Sequence, residues 1–218
     1  MTKNKTNSPT IILAGMPTTK IFSCGMVFAK IPSATSVKNS DTMTGIAIFT
    51  AMIAVCAQIT IPMPMGVPFT LQNFAVLLAG IVLGAKKSTL SAIIYIMLGI
   101  IGVPVFAGFK GGFVVILGPT GGFIVSFPLM ALCAGIFSDI SSNKKCMVQS
   151  FLIAAGLILG VAIHYICGVF ILSMVTSSSL KNAFIVVLLF IPLDIIKMIL
   201  SGIIGMTVKK ILAKNKIL

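Results

Sequence analysis

The chain has 218 residues, 58% of them hydrophobic and only 9% charged, with sixteen lysines, no arginine, three aspartates and a net charge of +13. Soluble domains carry about 25% charged residues, so this composition excludes a soluble fold and indicates an integral membrane protein. The lysines sit mainly at helix ends and tails, which suits a membrane surface rather than nucleic acid, and without arginine there is no bidentate phosphate clamp.

Residues 1–42 are rich in Lys, Thr and Ser and weakly patterned. The apolar stretch Ile21–Ala29 is too short to span, is followed by Lys30-Ile31-Pro32, and lacks an A-x-A-like cleavage site. This region reads as a flexible basic extension upstream of a possible start at Met43. Residues 43–210 form the transmembrane domain, and 211–218 a basic tail.

Six apolar segments follow, at Gly45–Ile61, Leu71–Gly84, Ser88–Ile101, Thr120–Ser138, Ser150–Met174 and Ala183–Val208. The expected fold is therefore all-α, with six transmembrane helices; the second and third segments are short for a span of roughly 20 residues. The first carries Ala47 and Ala51, a small-residue i, i+4 pair that lets another helix approach closely, inside the bundle or from a partner. With both termini cytoplasmic, thirteen lysines lie inside, only Lys110 and Lys181 lie outside, and Lys197 is in the membrane, as the positive-inside rule requires.

That orientation places Pro62–Gln72 and the Gly-rich Gly102–Gly122 on the outside. Gly and Pro at this density indicate a partly re-entrant loop or backbone close to a ligand; the alternative is plain connection. The last segment holds one acid and one base, Asp194 and Lys197. An intramembrane charge costs roughly 2.5–3.5 kcal/mol, so such residues usually face a cavity or a partner. Their i, i+3 spacing puts both on one helix face, to bind a ligand or simply to pair with each other.

Several chemistries are absent from the sequence. No G-x-x-x-x-G-K-[ST] occurs, so the chain hydrolyses no ATP through a Walker site. There is no H-E-x-x-H, no G-x-S-x-G and no carboxylate pair, and the five cysteines form no C-x-x-C. No metal or cofactor is expected. His164, the single histidine, reads as a packing residue.

Four motifs occur in order: Pro68-Phe69-Thr70-Leu71-Gln72, Gly102-Val103-Pro104-Val105-Phe106-Ala107-Gly108, Gly118-Pro119-Thr120-Gly121-Gly122 and Asp194-Ile195-Ile196-Lys197. With them the chain resembles the BioY family, the biotin-binding S components of energy-coupling factor (ECF) transporters, over about Met43 to Val208. The resemblance implies high-affinity biotin capture at the cytoplasmic membrane. It also implies partners, namely a transmembrane coupling protein, met through Ala47 and Ala51, and two ABC ATPases.

Biotin's chemistry suits these residues. Asp194 can accept from a ureido N–H, and Lys197 can donate to the ureido carbonyl or pair with the carboxylate. Thr70 and Gln72 can add hydrogen bonds, Phe106 and Phe123 can wall the thiolane, and Gly118, Pro119, Thr120 and Gly121 let backbone approach. Tyr165 matches a family tyrosine, with packing as its alternative role. Two positions depart from the family pattern: Phe123 replaces a common Tyr, and Lys110 stands in a usually small, polar loop, where it can attract a carboxylate. The rival readings are a solitary transporter without ATPases and a membrane enzyme using Asp194 as general base.

Overall fold

The computed structural model describes residues 34–62, 66–142 and 144–214; of the flexible extension expected over 1–42, residues 1–33 lie outside the described residues, as do tail residues 215–218, whereas 34–42 are helical and open the first helix. The elements are α1 (Ala34–Gln58), β1 (Thr60–Ile61), β2 (Phe69–Thr70), α2 (Gln72–Leu83), α3 (Ala85–Ile100), α4 (Phe113–Leu117), α5 (Gly121–Val125), α6 (Phe127–Ser141), α7 (Cys146–Val175), α8 (Leu180–Leu188) and α9 (Ile191–Lys214). Three stretches are long and apolar enough to cross a bilayer: Gly121–Ser141, Cys146–Val175 and Ile191–Leu212.

Helix α2 is apolar on every side after its first turn and is accordingly the central helix, packed against α1, α3, α6 and α9. It has 12 residues, about 18 Å at the usual rise of about 1.5 Å per residue. Close approach to α6 depends on missing side chains. A Cβ on Gly80 would lie 2.6 Å from that of Ala134, and one on Gly135 would lie 2.5 Å from Ala85 N. Asp139 of α6 caps the start of α3 from outside, its Oδ2 accepting from Ala85 N–H at 2.9 Å. Tyr95, Phe106, Phe127, Leu77 and Met130 fill the core.

The surface of α9 inverts the pattern of a soluble helix. Ile195, Ile199 and Ile203 form an exposed i, i+4 stripe, whereas Asp194, Lys197 and Ser201 are buried. Exposed Ile158, Ile166 and Phe170 extend the apolar surface onto α7. Such a surface belongs in lipid, so this is a membrane protein.

Three regions differ in form from simple spans and loops. The apolar run Ala183–Val208 is not one helix: it breaks at Leu189-Phe190, and Pro192 in the first turn of α9 has no N–H to continue the α8 ladder. Pro62–Gln72 is entered and left by a short hairpin pairing Thr60 with Thr70 and Ile61 with Phe69. Gly102–Gly122 folds into α4 and the start of α5, and its Phe106 turns back into the core, 5.6 Å from the Tyr95 ring. Gly99 makes that possible, because a Cβ there would overlap the Phe106 ring.

Candidate functional site

A cavity of about 310 Å³ lies where β2, the α3–α4 connection, α4, α5, α7 and the α8–α9 break converge. Several walls come from segments that the sequence makes irregular, around Gly66–Thr70, Phe106–Lys110 and Gly118–Thr120. The α9 break lets the first turns of that helix face inward, carrying Asp194 and Lys197, both 5% exposed.

These two residues form the polar centre. Lys197 Nζ lies 2.7 Å from Asp194 Oδ1, donates to the Thr70 carbonyl at 2.6 Å, and stands 3.5 Å above the Phe69 ring. Asp194 Oδ2 accepts from Tyr165 Oη at 2.5 Å and from Asn73 Nδ2 at 3.1 Å. Four chain segments thus hold one ion pair. The arrangement satisfies both charges without exhausting them. An ammonium has three donors, of which two are used, and a carboxylate has about four lone-pair sites, of which three are used.

Gln72 also has partners inside the protein. It lines the cavity, but its Nε2 donates to Tyr95 Oη, whose own proton goes to the Val105 carbonyl at 3.1 Å. Its Oε1 accepts from Thr70 Oγ1 at 3.1 Å. Each end of the amide thus holds one protein partner and keeps one hydrogen-bonding position, so Gln72 braces β2 against the 105–106 loop and still faces the cavity. Gln58 braces the same loop from α1, donating to the Val105 and Phe106 carbonyls at 3.3 and 3.2 Å and accepting from Phe109 N–H at 2.8 Å.

The remaining walls are mostly apolar, as small-molecule sites usually are. Phe106, Phe123, Phe127 and Phe190 contribute rings, and Gly118, Pro119 and Thr120 contribute the α4–α5 connection. Gly121 does not line the cavity. A Cβ there would overlap the Ile116 carbonyl, so this glycine serves the packing of α4 on α5. Gly122 and Gly168 let α5 meet α7, and a Cβ on Gly168 would overlap the Phe123 ring.

Of the residues singled out in the sequence, Asp194, Lys197, Thr70, Gln72, Phe106, Gly118, Pro119, Thr120, Phe123 and Tyr165 share this cavity, with exposed Lys110 beside them. Ala47 and Ala51 lie elsewhere, exposed on α1. Asn73, Phe69, Phe190 and His164 escaped sequence reasoning as site residues. Phe69 lies within the quoted Pro68–Gln72 motif and Asn73 directly follows it, which was the available signal. Phe190 looked like one apolar residue inside a continuous span.

The chain matches the BioY family over residues 13–214. It is 41% identical to the biotin transporter BioY of Thermotoga maritima over 164 residues, 75% of this chain and 93% of that protein. A probable biotin transporter BioY of Pyrococcus horikoshii is 53% identical over 91 residues, 42% of this chain and 56% of that one. The crystal structure of the S-component for biotin from an ECF-type ABC transporter, at 2.1 Å, superposes with a TM-score of 0.73 at 31% identity, covering 82% of this chain and 95% of that one. With the family matched across nearly the whole length and the fold shared, this chain belongs to the BioY family.

Proposed function

We propose that this protein takes up biotin across the cytoplasmic membrane as the substrate-binding S component of an ECF-type transporter. The observation that carries the reading is the buried Asp194–Lys197 pair on the wall of the cavity, with a donor and an acceptor site to spare, in a family whose members are biotin transporters. One ureido N–H goes to Asp194 and the ureido oxygen to Lys197, while Phe106 and Phe123 cover the thiolane. Thr70, Gly118, Pro119, Thr120 and Tyr165 complete the binding surface. Exposed Lys110, at the loop side of the cavity, draws the valerate carboxylate.

In this reading the chain crosses the membrane six times with both termini in the cytoplasm, supported by the thirteen-to-two distribution of lysines. The exposed Ala47 and Ala51 on α1 receive the helices of a transmembrane coupling protein, which links the chain to two ABC ATPases. No Walker motif lies in this chain, so the energy comes from those partners.

Equilibrium binding of labelled biotin to the purified chain tests the reading. The parent is expected to bind tightly, and Asp194→Asn and Lys197→Met each to lose at least about tenfold, or ~1.4 kcal/mol. A well-folded parent without affinity for biotin would sink it.

A further inference from the structure

His164 sits in the middle of α7, 3% exposed, between Phe127, stacked at 5.4 Å, and Phe123, edge-on at 5.3 Å. Its neighbour Ser126 settles which ring nitrogen carries the proton. Ser126 Oγ lies 2.7 Å from the Phe123 carbonyl oxygen and 2.7 Å from His164 Nδ1. A carbonyl oxygen that close can only be receiving the hydroxyl proton, and a hydroxyl has one proton to give. His164 Nδ1 must therefore be the donor to Ser126 Oγ, and in the neutral ring Nε2 is an unprotonated acceptor.

Among the described residues, every fully buried side-chain nitrogen and oxygen has a partner, and the ring meets Ser126 through Nδ1. His164 lines the cavity, and with Nδ1 turned to Ser126, Nε2 is the ring nitrogen left for it. The ring lies 5.8 Å from that of Tyr165, whose hydroxyl binds Asp194. Among its unused polar positions the cavity then offers an acceptor on Asp194, a donor on Lys197 and an acceptor on His164. That set complements the donor, acceptor, donor sequence of a cyclic urea.

We infer that His164 is a ligand-binding residue, its Nε2 accepting from one ureido N–H while Asp194 accepts from the other, and that Ser126 is the positioning residue that fixes the tautomer. The inference rests on the biotin reading. It makes the histidine a determinant of selectivity, because a ring presenting an acceptor at that point meets Nε2 lone pair to lone pair.

The chain's single histidine makes the test direct. The full chain, carrying no histidine tag, is labelled with [15N]histidine and studied by NMR in detergent with and without biotin. The Nδ1–H tautomer is expected in the parent, with biotin shifting the Nε2 resonance, and Ser126→Ala is expected to release the tautomer preference. In parallel, His164→Phe should lose about tenfold in affinity for biotin. It should lose nothing for the mono-N-methyl biotin whose methyl blocks the histidine-facing N–H. A parent that binds biotin with an Nε2–H tautomer, or with Nε2 unmoved at saturation, overturns this inference alone. Equal losses for biotin and both N-methyl derivatives would do the same. A parent that binds no biotin removes the uptake reading and this inference together.

Discussion

Tyr165 of α7 donates its hydroxyl to Asp194 Oδ2 of α9 across 2.5 Å, so the carboxylate that holds Lys197 is itself aimed from a second helix. Tyr165→Phe keeps the ring and removes that donor. Hydrogen bonds to charged groups contribute about 1.5–3 kcal/mol. The variant is expected to fold, to melt at a lower temperature and to bind biotin about tenfold more weakly. Thermal unfolding in detergent beside equilibrium binding separates the two effects, and unchanged affinity would leave Tyr165 a packing role.

Removing one member of a buried ion pair leaves the other uncompensated, at a cost of about 3–5 kcal/mol. Asp194→Asn and Lys197→Met are each expected to lower stability by a large part of that range. The double variant carries no buried charge and is expected to melt above either single one, yet still to bind no biotin. Recovery of both properties would mean that the pair only holds the fold.

Gln58 makes three hydrogen bonds to the 105–109 segment from α1. Phe109 in that segment has φ 56, a left-handed conformation uncommon for a bulky residue. Gln58→Ala is expected to free this wall of the cavity and to weaken biotin binding about fivefold or more, with the helices intact. Faster amide hydrogen exchange confined to residues 105–109 is the direct reading.

Gly168 leaves room for the Phe123 ring, and Phe123 lines the cavity. Gly168→Ala must push that ring toward the ligand space. The loss of biotin affinity is expected to exceed about tenfold, and shortening the ring in Gly168→Ala/Phe123→Leu is expected to recover part of it. A double-mutant cycle on the dissociation constant measures the coupling.

Ala47 and Ala51 are exposed on α1, away from the cavity. Ala47→Leu/Ala51→Leu is therefore expected to bind biotin like the parent but to fail to co-purify with a coupling protein and its ATPases. Normal co-purification with uptake intact would move the partner surface elsewhere.

Much of this protein was legible from residue type and spacing. Membrane character followed from the apolar composition, and the i, i+3 spacing of Asp194 and Lys197 placed both on one helix face. The Gly- and Pro-rich segments marked the cavity walls, because irregular backbone at membrane depth must be covered by protein or line a cavity.

What spacing could not convey was which distant groups meet that face. Asn73 and Tyr165 reach Asp194 from α2 and α7, 121 and 29 residues away in the chain. Gln72, expected to supply hydrogen bonds to a ligand, lines the cavity but also holds Tyr95 and Thr70. Gly121 serves the α4–α5 contact, and one apolar run became two helices at Leu189-Phe190. Local sequence dictates periodicity, charge and backbone freedom. Only the packed fold decides which donors and acceptors are already satisfied by one another and which remain for a ligand, because each side chain has a limited number of hydrogen bonds and tertiary neighbours claim them first.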